Sequence, residues 1–187
     1  MRKKTEGKTG AKVALADFLF NNTNKTIEEA NSVSDRFLEQ IEKKLEKSNL
    51  DIEFIFSPLD NVEHDQPVYF KKIPFISLCE HHLLPFFGFV DVAIFPSNKI
   101  AGISKFTDLI DNLSSQLTLQ EKLTEIIAVT INDLLQCEGV FVRINAKHLC
   151  SDITNPKNSN SDIVTTYSIG LYELDYSLRS EAILNFN

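Results

Sequence analysis

Two short stretches far apart in this chain, Cys79-Glu80-His81-His82 and His148-Leu149-Cys150, hold two of its three cysteines and three of its four histidines. Zinc takes thiolate sulfur and imidazole nitrogen as ligands, and a catalytic zinc uses three protein ligands and keeps its fourth position for water. Cys79 and His82 can reach one ion from a single turn. Cys150 completes the set only if its own element folds back onto that turn, so the pattern constrains the topology as well as the chemistry. A lone buried cysteine or histidine is an ordinary core residue; the clustering sets these apart. His81 and His148 stand close to the proposed ligands, as proton donors and acceptors beside an activated water should. Cys137 has no such company and ends an apolar helical pattern, which marks it as a core or boundary thiol.

The elements between these stretches follow from periodicity. Ile27, Ala30, Val33, Phe37, Ile41 and Leu45 recur at three- and four-residue steps, one face of an amphipathic helix over 26–49, and Thr26 with Glu29 is a capping box at its start. Residues 51–56 alternate weakly as a short strand. Phe87 to Phe95 is apolar at nearly every position, the pattern of a strand buried on both faces, and the turn Pro96-Ser97-Asn98-Lys99 predicts a hairpin onto Ile100. Ser104 is placed to cap a short helix through Leu113. Thr118 starts a longer one with Leu123, Ile126, Ile127, Ile131, Leu134 and Leu135 inward, ended by Gly139, and Thr118 with Glu121 forms a second capping box. Val140, Val142, Ile144 and Ala146 alternate as a strand leading to His148, with 163–174 as its antiparallel partner. This order of elements is that of an α+β fold rather than a βαβ one.

Composition narrows the function classes. Of 187 residues, 43% are hydrophobic and 24% charged, ordinary for a globular chain, and the net charge of −7 opposes general nucleic-acid binding. No run reaches the length of a membrane span. Arg2-Lys3-Lys4 and the apolar patch from Val13 to Phe20 lack a cleavage site and contain Asp17, so residues 1–25 are expected to be a flexible tail with a short first element. Three cysteines without an export signal predict a reduced, cytoplasmic setting. One domain is expected over 1–187, its core from residue 50 onward.

Four blocks in order, Cys79-Glu80-His81-His82-Leu83-Leu84-Pro85-Phe86, Ile100-Ala101-Gly102-Ile103-Ser104-Lys105, Gln120-Glu121-Lys122-Leu123-Thr124 and His148-Leu149-Cys150, resemble GTP cyclohydrolase I over roughly residues 70–184. The resemblance implies a zinc enzyme that opens the imidazole ring of GTP, releases formate and recloses the atoms as 7,8-dihydroneopterin triphosphate, the first step toward folate or biopterin. It implies a tunnelling fold, an antiparallel four-stranded sheet with two long helices on one face, preceded by the N-terminal amphipathic helix and assembled as a decameric homo-oligomer with sites between subunits. By the same resemblance Cys79, His82 and Cys150 bind zinc, and His81 and His148 move protons. Ser104 assists the ribose rearrangement, Lys105 contacts the triphosphate, and Gln120 and Glu121 face the substrate, the Glu121 carboxylate accepting two bonds from guanine.

This chain departs from that family at two phosphate-binding arginines, where it has Asp108 and the Thr154-Asn155 pair. An acid in such a place repels phosphate rather than merely failing to hold it. Lys71, Lys72, Lys105 and Lys157 are the cations by which the pocket could be rebuilt. Three readings stay open: an active GTP cyclohydrolase I with a rebuilt phosphate pocket, a zinc hydrolase of the same fold acting on a less phosphorylated purine or pterin, and a non-enzymatic structural or regulatory paralogue. Glu80, beside a ligand, is either a solvated turn acid or a support for the metal site.

Overall fold

Helical periodicity governs the first part of the chain and strand alternation most of the rest. The computed structural model describes residues 4–46, 51–52, 56, 58–60, 64–154 and 161–187. Backbone packing divides the chain into two units, Met1–Glu46 and Lys47–Asn187. The first is a pair of helices, α1 (Lys4–Asn22) and α2 (Ile27–Glu46). Small residues, Ala16 on one and Ala30 and Ser34 on the other, are buried, and the Ser34 hydroxyl donates to Lys12 O at 2.8 Å. Lys12 pairs with Asp35 at 2.7 Å, and Lys8 pairs with Glu42. The stretch expected as a polar tail is thus helical, because its lysines find acids on α2, a partnership that local propensity does not reveal. α2 opens with reciprocal bonds, Thr26 N–H to Glu29 Oε2 at 3.0 Å and Glu29 N–H to Thr26 Oγ1 at 3.3 Å, which satisfy two of the free donors of a helix start. The end of the expected helix beyond Glu46 and residues 53–55 of the weak strand lie outside the described residues. Of the rest of that strand, Ile52 is helical and its carbonyl accepts the Phe56 N–H at 2.8 Å, the i to i+4 bond of a helical turn, so no strand stands there among the described residues.

The second unit runs β1 (Leu59–Asp60), β2 (Val68–Cys79), β3 (Pro85–Phe95), β4 (Lys99–Ile100), α3 (Ile103–Leu113), β5 (Leu117–Thr118), α4 (Gln120–Leu135), β6 (Gly139–His148), α5 (Leu149–Thr154), β7 (Ile163–Gly170), α6 (Leu171–Leu174) and α7 (Tyr176–Phe186). It is a mixed α+β unit. The main sheet has the order β5-β2-β3-β6-β7. Its four long strands are antiparallel, and β5 adds a two-residue parallel pairing to β2 beside Leu78 and Cys79, so the sheet has five strands where four were expected. Both edges of β3 are occupied, by β2 and β6, which is why Lys99–Ile100 cannot form the expected hairpin with it and pairs with β1 instead.

Alternation assigns the faces. Val90, Val92 and Ile94 of β3 and Val140, Val142 and Ile144 of β6 are buried in one cluster with Phe106, Leu109 and Ile110 of α3 and Leu123, Ile127 and Ile131 of α4. Each such side chain stabilises the fold by about 1.5–3 kcal/mol relative to an exposed one. On the opposite face Ala93 and Phe141 pack with Tyr172, Ala182 and Phe186 of the C-terminal helices. That cover is partial: Phe87 and Phe89, nearer the start of β3, are exposed, so only the second half of β3 is buried on both faces. Gly88 lies where a Cβ would come within 2.0 Å of Asn145 O, and glycine alone lets β3 and β6 approach there.

Three helix termini differ from expectation. Gly102, not Ser104, occupies the N-cap of α3, without a side-chain cap bond. Leu119 is the N-cap of α4, and the hydroxyl of Thr118, itself buried in β5, donates to Leu119 O at 3.2 Å, so the second capping box does not form. α4 closes on Gln136 in the left-handed region, and Gly139 begins β6.

Candidate metal centre and active site

The turn between β2 and β3 is fixed by the backbone: Leu83 N–H donates to Cys79 O and Cys79 N–H to Leu84 O, each at 2.9 Å, with Leu83 at φ 55°. Glu80 N–H donates to Thr118 O at 3.1 Å, which ties the turn to β5. The Glu80 carboxylate meets Lys122 Nζ at 3.3 Å, which ties the turn to the first part of α4. On β6, His148 stands opposite Phe86 in the β3 ladder, and α5 follows at once. The return of the chain demanded by Cys150 is therefore made by sheet pairing: β3 leads away from the turn, and β6 comes back beside it.

Cys79, His82 and Cys150 converge, each offering a ligand atom within 4.8 Å of the others, and Cys79 Sγ lies 3.8 Å from His82 Nδ1. Ligands of a tetrahedral zinc stand about 3.3–3.8 Å apart, given bonds of about 2.0–2.3 Å. Two sulfurs and one nitrogen within 4.8 Å of one another would come into that range by a contraction of at most about 1 Å. Cys79 is buried, Cys150 half-buried and His82 exposed, which leaves a solvent side to the centre. Burial pushes the Cys150 thiol up, and the neighbouring Cys79 adds to this. A divalent cation reverses that preference by stabilising both thiolates. Cys137 stays apart, its thiol pushed up to about 12 by burial, in line with an inert core cysteine.

His148 is the best-held polar side chain near this centre. Its ring stacks on Phe86 with centroids 4.9 Å apart and planes 11° from parallel, and its Nε2 meets Gln120 Oε1 at 2.7 Å. Burial pulls its pKa down, while the charges of Glu121 and Asp152 act upward. Gln120, expected to face substrate, is buried and points inward: its Nε2 lies 2.9 Å from Ile163 O, 3.1 Å from Thr165 Oγ1 and 3.2 Å from Ile144 O. Glu121, next in the chain, is exposed in the first turn of α4 and free of the capping role the sequence offered it. His81 is exposed, its ring perpendicular to that of His82 at 6.0 Å.

The residues assigned to ribose and phosphate occupy other elements. Ser104 is exposed and Lys105 half-buried in the first turn of α3, with Asp108 exposed further along it. Thr154 ends α5, where its hydroxyl donates to Cys150 O at 2.7 Å. Lys71 and Lys72 are exposed on β2, and Lys157 lies outside the described residues. Sequence reasoning did not single out Phe86, Lys122 or Thr165. Phe86 had a signal, since it alternates with Gly88 and Val90 toward the helices; the other two act only through the tertiary fold.

Among protein families, GTP cyclohydrolase I matches residues 14–186. A GTP cyclohydrolase 1 of Latilactobacillus sakei is 43% identical over 123 residues, 65% of each chain. That of Fusobacterium nucleatum is 38% identical over 135 residues, 72% of each chain. That of Streptococcus gordonii is 40% identical over 129 residues, 68% of this chain and 69% of its own. The chain thus spans 65–72% of the length of these relatives, less than two thirds of the first. Among solved structures, an archaeosine synthase QueF-Like in the apo form aligns over 58% of this chain and 97% of its own, with 14% identity and a TM-score of 0.46.

Proposed function

Because the chain belongs to the GTP cyclohydrolase I family, we propose that it is a zinc-dependent hydrolase that converts GTP and water to formate and 7,8-dihydroneopterin triphosphate. The observation that carries this reading is the convergence of Cys79, His82 and Cys150 beside a firmly held His148. Zinc on those three ligands would supply a Lewis acid and a nucleophilic water near neutral pH. His148 takes and returns protons as the imidazole ring of the purine is opened, and the exposed His81 serves the solvent side. Glu121 accepts the paired N–H groups of guanine, a task for which its exposed carboxylate at a helix start is suited. Ser104 assists at the ribose, and Lys105 meets the phosphates. The full site belongs to a tunnelling-fold subunit in a closed homo-oligomeric ring, whose neighbouring subunit can lend side chains to the same pocket.

Phosphate recognition divides the alternatives. Asp108 is exposed on the same helix as Lys105, and its charge favours a substrate with fewer phosphates, which makes a less phosphorylated purine or pterin the second reading. The deciding experiment incubates the purified, zinc-loaded protein with GTP and follows formate and the pterin chromophore, with His148→Ala as control. Turnover with GTP that the control lacks supports the first reading. A free nucleoside that competes as well as its triphosphate supports the second, and zinc without any turnover removes both.

A further inference from the structure

The orientation of the Gln120 carboxamide can be read without ambiguity. Exchange of its oxygen and nitrogen would set the oxygen against two backbone carbonyls, Ile144 O and Ile163 O, which only accept. The nitrogen therefore faces the carbonyls, and Oε1 faces His148. Oε1 cannot donate, so the 2.7 Å contact requires the proton to sit on His148 Nε2.

The rest of the network agrees. Thr124 Oγ1 donates to Gln120 O at 2.7 Å, so its contact with Thr165 Oγ1 at 2.6 Å uses the Thr165 proton. Thr165 Oγ1 is then left to accept from Gln120 Nε2 at 3.1 Å. Each hydroxyl and amide proton thus has one direction, running from His148 into the protein. Gln120 and Thr124 are both 1% exposed, so water does not compete with these bonds.

We infer that Gln120 is a positioning residue that locks His148 in its Nε2–H tautomer and leaves Nδ1 as the ring nitrogen that exchanges protons with the reacting purine. The inference rests on the proposed reading of His148 as the proton carrier, and it moves Gln120 from the substrate to the histidine. During turnover a proton is added at Nδ1 and leaves from Nδ1, while the other proton stays on Nε2, donated to Gln120 Oε1 throughout. A neutral amide oxygen suits this use, since it accepts the same bond from imidazole and from imidazolium. The Phe86 stack restricts tilting of the ring about that bond. A histidine in the wrong tautomer loses catalysis even where the geometry is kept.

The test is nitrogen spectroscopy of the zinc-loaded protein labelled with 15N-histidine, the His148 signals being assigned by their loss in His148→Ala. A protonated Nε2 with a bare Nδ1 in the wild-type protein is the expected result; a proton on Nδ1 overturns the inference whatever the enzyme does with GTP. In Gln120→Met, which removes the acceptor at similar size, a mixed or reversed tautomer is expected together with a fall in kcat of about 10²-fold and little change in KM. Gln120→Glu in its neutral acid form keeps a carbonyl oxygen toward His148 and an O–H donor toward the Ile144 and Ile163 carbonyls, and should restore the tautomer and part of kcat. An unchanged tautomer and kcat in Gln120→Met would overturn the inference. If the wild-type protein shows the expected tautomer without turning over GTP, the proposed substrate fails while the positioning role stands.

Discussion

The two faces of the β3–β6 pair each carry a buried polar network, and the two are built from opposite materials. On the face covered by α3 and α4, Gln120, Thr124, Thr165 and His148 are joined by bonds in which no partner needs a formal charge. On the other face Asp91, 3% exposed, receives Arg143 Nε at 3.0 Å and Nη2 at 2.8 Å on one oxygen and the Lys72 N–H at 2.8 Å on the other. Arg143 goes on to donate to Phe186 O and Asn187 Oδ1, each at 3.0 Å, and lies over the Phe186 ring at 5.0 Å. The charged network joins a strand bulge to the end of α7, and its task is mechanical. The neutral network holds one ring against one acceptor, and the task proposed for it is chemical. A buried charge in the second place would set the proton affinity of His148 as well as its direction; an amide sets direction with less effect on affinity.

Changes on the two faces should therefore separate chemistry from stability. The largest effect is expected at the centre itself: Cys150→Ser should lose zinc, measured by metal content after gel filtration, and with it all turnover of GTP, while the fold persists. Full metal retention would sink the ligand assignment. Next is Arg143→Ala, which leaves Asp91 buried and unpaired and should cost about 3 kcal/mol in urea unfolding. Neutralising both partners, as Asp91→Asn with Arg143→Met, should recover most of that loss, because the amide oxygen still accepts the Lys72 N–H and the isolated charge, rather than the absent pair, causes the loss. A double variant as unstable as the single one would contradict this account. Smaller again is the exposed pair at the turn: Glu80→Gln should cost under about 1 kcal/mol and should lose its effect in high salt.

The smallest effect concerns Tyr69, whose hydroxyl donates to Glu181 on α7 at 3.0 Å. Burial first, and then the Glu181 carboxylate, push its pKa up to about 12. The unfolded chain releases this proton near pH 10, so the stabilising contribution is complete below that value and is lost as pH rises toward 12. Tyr69→Phe should show a flatter loss of stability across that interval in alkaline unfolding, and an unchanged slope would remove the role assigned to the hydroxyl.

How much of this was readable from the chain depended on whether a pattern was local. β3 and β6 announce themselves through Val90, Val92, Ile94 and Val140, Val142, Ile144 at alternate positions. β2 does not, although Ile73, Phe75, Ser77 and Cys79 are all buried. Its alternation is broken by a bulge at Lys71-Lys72, with Lys72 at φ 56°, and is further masked by Pro74. The bulge is stable because Asp91 accepts the Lys72 N–H, a fact about a neighbouring strand. The candidate group Cys79, His82 and Cys150 was legible because residue type alone limits its chemistry. The inward turn of Gln120 was not, since it depends on where the β6–β7 ladder stops: the last pair is Ala146 with Ile163, and the Ile163 carbonyl beside that end takes a donor from α4.

One junction carries a consequence for how such a site can change. His148 is the last residue of β6, and α5 begins at Leu149, so no loop separates His148 from Cys150. Each residue of a helix turns the chain by about 100°. A single residue inserted or deleted between His148 and Cys150 would swing the thiol away from Cys79 and His82 without touching any other part of the sheet. Point substitutions can accumulate around this junction, but length variation cannot, and gaps in the chain should be tolerated before β6 or after α5 and never across the seam between them.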